Sequence, residues 1–479
     1  MMKRFLSLLL LSVLVLGCFS ACGSESERVL RVYNWQDYID EGDDETPSVL
    51  DAWAEDYYAR TGEKVRVQYD TFETNETMLN TLKTGKSQYD LVCPSDYVIQ
   101  KMIAATENGT DDNLALEKFD YSKLENYTNY ASPYIKQVFG ENGFDGYAVG
   151  YMWGTVGIIY NPEYVDEEDT KSWEIMWNPK YQNRITLKDS VRDAYIPAMS
   201  AVYREQILAL DGLGLSSAEY RKRLGDLMNS TASEDIDAAG EALKSMKDNI
   251  YGLEVDSGKT DIVAGKIHIN QAWSGDAAYA IYEAEETAGV QLNFSVPEDG
   301  GSVWFDGWVM PKGADTELAH DFVNYLCAPE VAVRNMDYIG YTSIVAGDEV
   351  FDYVLESYSA EDGAHTVDLT YYFNGTLSED YYSEDGKILV QTDEVGRMFS
   401  AQYPEESVAL RGFIMRDFGN KNEEVLTMWA GFKSNNIAPE ILIAIFSVII
   451  LGAVAVFLWF TKPKRDSARR RKEWLAKQK

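Results

Sequence analysis

The sequence predicts an α/β protein of two lobes, each a mostly parallel sheet flanked by helices, with a transmembrane helix after them. Three observations predict it. Between residues 29 and 93 the apolar pattern switches twice from strand to helix period, giving β-α-β-α-β, the signature of a parallel sheet. After residue 160 the same logic recurs, with strands at 185–187 and 267–272 running into carboxylates and an indole. At 479 residues the chain exceeds what one hydrophobic core usually serves.

In the first lobe, 29–35 is a strand, and Val49, Leu50, Trp53, Ala54 and Tyr57 recur at helical spacing up to Gly62, which suits a helix end. Val65, Val67 and Tyr69 alternate with charged or polar residues in a second strand, and a short helix carries Met78, Leu79 and Leu82 before Gly85. Residues 89–93 are a third strand. Open parallel sheets bind ligands beyond the carboxyl ends of their strands. There stand Trp35, Gln36 and Tyr38, then Glu73 and Asn75, then Ser95, Asp96 and Tyr97. Residues 105–146 are polar, short of periodicity, and read as surface loops. The apolar stretch 147–161, broken by Gly150, Gly154 and Gly157, reads as a crossover into the second lobe.

In that lobe, strand 185–187 leads to Asp189, Ser190, Arg192 and Asp193, and strand 267–272 leads to Trp273-Ser274-Gly275-Asp276. The helical stretch 200–250 carries no site chemistry. A later helix shows Leu318, Phe322, Tyr325 and Leu326 on one face and is followed by Ile339-Gly340-Tyr341. The acidic, tyrosine-rich segment 351–406 suggests hairpins or an irregular insertion, and 411–433 a last helical region. The expected boundaries are 30–152 with 307–350 for the first lobe, and 153–306 with 351–433 for the second.

The stretch 300–314 contains Trp-Phe-Asp-Gly-Trp between glycines that let the backbone turn and approach something closely. Asp306 stands there between Trp304 and Trp308. A carboxylate opposes an ammonium in charge, and indole faces attract it through the ring quadrupole by about 0.5–2 kcal/mol per contact. The plainer reading is a strand end with core tryptophans and a solvated carboxylate.

The net charge of −35 argues against nucleic acid as a partner and favours encounter with cationic solutes. Lys3 and Arg4, an apolar run over 5–16 and small residues before a cysteine make 1–22 an export signal, so the body is expected outside the cytoplasm. Cys22 is the lipidation candidate because the polar residues after it make 23–29 a usable linker; Cys18 competes. Cys93 and Cys327 read as buried free thiols. Residues 441–460 carry no charge and are long enough to span a bilayer. The basic residues of 461–479, Arg469 to Lys472 among them, place that tail in the cytoplasm.

The ordered motifs Val-Tyr-Asn-Trp-Gln-Asp-Tyr (32–38), Tyr-Asp-Leu-Val-Cys-Pro-Ser-Asp-Tyr (89–97), Tyr-Met-Trp-Gly-Thr (151–155), Trp273-Ser274-Gly275-Asp276, Trp-Phe-Asp-Gly-Trp (304–308) and Ile339-Gly340-Tyr341 resemble the spermidine/putrescine-binding proteins of bacterial ABC importers, over about 30–433. The resemblance implies a periplasmic-binding-protein type II fold whose lobes close over the ligand. It implies a cleft lined by Trp35, Gln36, Tyr38, Ser95, Tyr97, Asp193, Trp273, Asp276, Trp304, Asp306 and Tyr341, with Asp306 holding an ammonium. It further implies putrescine or spermidine as ligand, permease subunits as partners, and no cofactor or metal. Ser190 departs from the pair of acids, three apart, of spermidine-type members, whereas Asp276 matches putrescine-type members. A glutamine that some members supply has no clear equivalent near Met415. The residues agree for their own reasons, since a polyamine is a string of charges spaced by apolar carbons.

Two rival classes remain at this level. With three histidines and neither His-Glu-x-x-His nor Gly-x-Ser-x-Gly, catalysis has little to stand on. Gly258-Lys259-Thr260 and Gly85-Lys86-Ser87 resemble a phosphate loop but lack its first glycine. A ligand-sensing ectodomain is the other, and the short tail would then need a separate signalling partner.

Overall fold

The computed structural model describes residues 27–86 and 88–434. Strand by strand, its main sheet runs Val65–Phe72, Arg28–Trp35, Leu91–Val92, Gly301–Pro311, Ala148–Tyr160, Ile269–Trp273, Ile185–Lys188 and Gly252–Glu254. The three strands at one end are parallel to each other, and so are the three at the other end. Between them Gly301–Pro311 and Ala148–Tyr160 lie antiparallel to each other and to their outer neighbours. These two long strands carry the chain from one lobe to the other and back. Every residue of Ala148–Tyr160 is buried, which explains its unbroken apolar run. Its glycines are spacers: a Cβ on Gly154 would run into Ser274 and the Trp304 ring, and one on Gly150 into Ile344.

Helix Val49–Thr61 stops at Gly62, whose φ of 77° needs no Cβ. The expected loops of 105–146 instead contain helices Glu125–Tyr130 and Pro133–Asn142. The second starts on a proline, ends at left-handed Gly143 and buries Tyr134, Ile135 and Phe139. Its apolar stripe is only three residues long, too short to stand out among polar neighbours.

The segment 351–406 holds an antiparallel pair, His365–Asp368 with Leu389–Thr392, and short helices. The sequence assigned it to the second lobe. Its Val367, Leu369, Tyr372 and Phe373 join the core cluster of Leu30, Val32 and Ile135, while its Ala401 packs with Ile281 and Phe294. Tyr371 meets Tyr134 at 5.5 Å, and the Trp153 indole donates to the Tyr372 hydroxyl at 3.0 Å. Tyrosines bury their rings while their hydroxyls stay bonded, so a tyrosine-rich stretch looks more exposed in sequence than it is. A second cluster, with Ile159, Ile262, Ile281 and Phe294, forms the other lobe's core.

Cys93 and Cys327 are buried and unpaired. Both lobes lie within the unit that ends at Leu426. Among the described residues no helix is long and apolar enough to cross a membrane. The apolar run 441–460, the basic tail, the export signal, Cys18 and Cys22 lie outside the described residues.

Candidate ligand-binding site

Asp306 is buried on the returning crossing strand. Its carboxylate accepts from the Ser95 hydroxyl at 2.6 Å and from the Tyr38 hydroxyl at 2.8 Å. Among the described residues no cation lies within ion-pair distance of it. Burial pushes its pKa up to about 6, against the pull of the two hydroxyls. The pairing register slips between Asp306 and Gly307. Period-two alternation keeps Trp304 and Trp308 on the face of Asp306, where Trp308 is buried in the core, against Tyr151 at 5.2 Å and Phe322 at 6.1 Å. Of the two indoles in the motif, only Trp304 stays at the site.

Ser95 occupies the N-cap of helix Asp96–Asn108 without capping it, because its hydroxyl serves Asp306. Asn75 orients this group by donating to Ser95 Oγ at 3.0 Å and to the Tyr97 hydroxyl at 2.8 Å. Beside it runs an aromatic wall, with Trp304 edge-on to Tyr341 at 5.3 Å and Tyr341 edge-on to Tyr38 at 6.1 Å. Tyr341 lies over Gly275, where a Cβ would strike its ring. Trp35 rests on Phe72 at 4.6 Å. Trp35, Tyr97, Trp273, Trp304 and Tyr341 are all half-buried, with part of each ring left accessible.

From the second lobe comes Asp193, buried in the first turn of helix Val191–Ala209. Its Oδ1 accepts from the Trp273 indole at 3.1 Å, and the Ser190 hydroxyl caps the helix by accepting from its backbone N–H. Burial raises its pKa too, while Ser190 and Trp273 pull it back. Trp304 pairs with Gly154 and Trp273 with Val156, two residues apart on one crossing strand. Each lobe thus brings a buried carboxylate, held by neutral donors, to a shared set of aromatic rings. Gln36 stands apart, exposed, its amide turned to Asp37 at 3.4 Å.

A family model described as bacterial extracellular solute-binding protein matches residues 52–347. The chain belongs to that family. Among its relatives, the spermidine/putrescine-binding periplasmic protein of Salmonella typhimurium is 31% identical over 336 residues, 70% of this chain and 82% of that one. The putrescine-binding periplasmic protein PotF of Escherichia coli is 28% identical over 349 residues, 71% of this chain and 84% of the relative. The spermidine/putrescine ABC transporter substrate-binding protein PotD of Streptococcus pneumoniae superposes with a TM-score of 0.57 at 24% identity, covering 85% of this chain and 99% of the other. That likeness supports the two-lobed fold. Membership in the family makes this chain a binder of a solute rather than a catalyst.

Asp276, which the resemblance places in the cleft, is engaged by two lysines in this solute-binding protein. Its Oδ2 lies 3.0 Å from Lys188 Nζ and its Oδ1 3.3 Å from Lys259 Nζ. Sequence reasoning missed both lysines as part of the site. Lys188 ends a strand buried along its whole length, and a lysine there needs an internal partner. Lys259 drew notice only for its likeness to a phosphate loop, whereas its ammonium pairs with Asp256 at 2.7 Å as well. Arg192, which the sequence places at a strand end without a role, reaches from the second lobe to stand 3.5 Å over the ring of Tyr97, so the lobes touch beside the site. Nothing in the sequence links Asn75 to Ser95 and Tyr97.

Proposed function

We propose that this chain is the extracytoplasmic substrate-binding component of an ABC importer, which captures putrescine or spermidine between its lobes and delivers it to permease subunits. One observation carries the reading: Asp306 and Asp193 are buried carboxylates without ion-pair partners among the described residues, set against half-buried aromatic rings. A desolvated carboxylate is costly alone. An ammonium at contact distance returns on the order of 4 kcal/mol at an effective dielectric near 20, before desolvation is subtracted. The names of the relatives point the same way. In this reading Asp306 and Asp193 bind ammonium groups, while Trp35, Tyr38, Tyr97, Trp273, Trp304 and Tyr341 enclose the methylenes. Ser95 holds Asp306 in place, Asp276 acts through its lysine partners, and Gln36 sits at the rim. Native mass spectrometry of the protein purified without added ligand should show a bound mass matching putrescine or spermidine, released on denaturation. A neutral or anionic bound mass would refute the assignment.

The anchoring belongs to the same proposal. The body stands outside the membrane, lipidated at Cys22, and the helix at 441–460 holds it near the permease with 461–479 in the cytoplasm. Protease added to intact cells should remove the body and spare an epitope on the tail; loss of that epitope in sealed cells would contradict this topology. Copurification with a sensor in place of a permease would favour the ligand-sensing ectodomain.

A further inference from the structure

Lys188 closes strand Ile185–Lys188, with its side chain only 2% exposed. Its ammonium lies 3.0 Å from Asp276 Oδ2 and 3.2 Å from Glu254 Oε1, and donates to the Val255 carbonyl at 2.8 Å. Three acceptors meet its three N–H bonds. The same ammonium stands 4.3 Å over the Trp273 ring. Carboxylates and an indole face are what a ligand ammonium would seek, and here a side chain of the protein already holds them. Lys259 faces the other oxygen of Asp276. Asp276 and Glu254 therefore already face cations of the protein, whereas Asp306 and Asp193, and Asp96 buried beside Asp306, have no cation within ion-pair distance among the described residues.

We propose that Lys188 is a tethered ammonium that fills the cation position behind Trp273, so that this end of the cleft is closed to a ligand ammonium and the site favours a ligand with two ammonium groups over one with three. The inference rests on the polyamine reading and deepens it, making Lys188 a determinant of ligand length. A short diamine can bridge Asp306 and Asp193, whereas the further ammonium of a triamine finds the carboxylates behind Trp273 already held by Lys188. Removing the charge of Lys188 leaves Asp276 with Lys259 alone and Glu254 with the Gly258 N–H and Asn270 amide, a net negative pocket behind Trp273.

The test is calorimetric titration of the full-length chain and its Lys188→Met variant, which keeps side-chain length, with putrescine and with spermidine. The wild type should bind putrescine at least as tightly as spermidine, and the variant should shift the affinity ratio towards spermidine by tenfold or more. A purely structural lysine would lower both affinities and leave their ratio alone. Should Lys188→Met fail to fold, Lys259→Met, at a more exposed position, frees the other oxygen of Asp276 and should move the ratio the same way. A ratio unchanged within twofold, or a wild type that prefers spermidine, overturns the role of Lys188 while leaving polyamine binding intact. A wild type that binds neither amine overturns both.

Discussion

Asp306 is held by two neutral hydroxyls, and burial raises its pKa to about 6. An ammonium pairs with the ionised form, so ligand binding must expel the proton wherever it is present. Amine affinity should therefore be flat above about pH 7 and fall by about tenfold per unit once the pH drops below the folded pKa. Titrations between pH 5 and 8 check this. For the ligand-free protein the sign is opposite. A folded pKa above the unfolded value means that the native state binds the extra proton, so this residue's contribution to stability is greatest in acid and is lost as pH rises towards 6. Asp306→Asn removes the titration and the charge together. It should weaken putrescine binding by about 2–5 kcal/mol, as truncating a buried charge pair does, and flatten the pH profile. An unchanged affinity by calorimetry would show that Asp306 does not touch the ligand.

The crossing strands place the site, and their glycines hold it open. On Gly154 an added Cβ would meet the Trp304 ring at 2.8 Å. Gly154→Ala should cost about 1–3 kcal/mol of stability through overpacking, and should lower affinity further by displacing Trp304. Urea unfolding and ligand titration of one variant separate the two effects. Much of this element was legible in sequence, because a strand buried on both faces announces itself as a long apolar run and its glycines mark close approaches. The slip after Asp306 was not legible, since no local pattern marks Tyr151 as the extra residue on the partner strand. Helix Pro133–Asn142 escaped notice because it buries only three apolar side chains. Trp35, Tyr38, Ser95, Tyr97, Asp193, Trp273, Trp304 and Tyr341 could be picked as one set through the resemblance of their motifs to polyamine-binding proteins, with which the convergence of strand ends agrees. The lysines behind Asp276 could not, because an ion pair between Ile185–Lys188 and helix Ser274–Glu283 depends on packing that no local pattern records.

At the scale of the whole molecule, the lobes are linked by two crossing strands and touch through Arg192 on Tyr97 and Tyr341 on Gly275. A ligand held between them adds contacts to both lobes at once, so it should stabilise the fold as a whole. At a free concentration one hundred times its dissociation constant it adds about 2.7 kcal/mol, visible as a rise in melting temperature with putrescine and none with a neutral diol of the same length. The most direct measurement is calorimetric titration of the purified chain with putrescine, alongside Asp306→Asn and Asp193→Asn. The expected result is one site per chain with micromolar or tighter affinity, weakened strongly by either substitution; wild-type protein that gives no binding signal with putrescine or spermidine would contradict capture of a polyamine between these lobes.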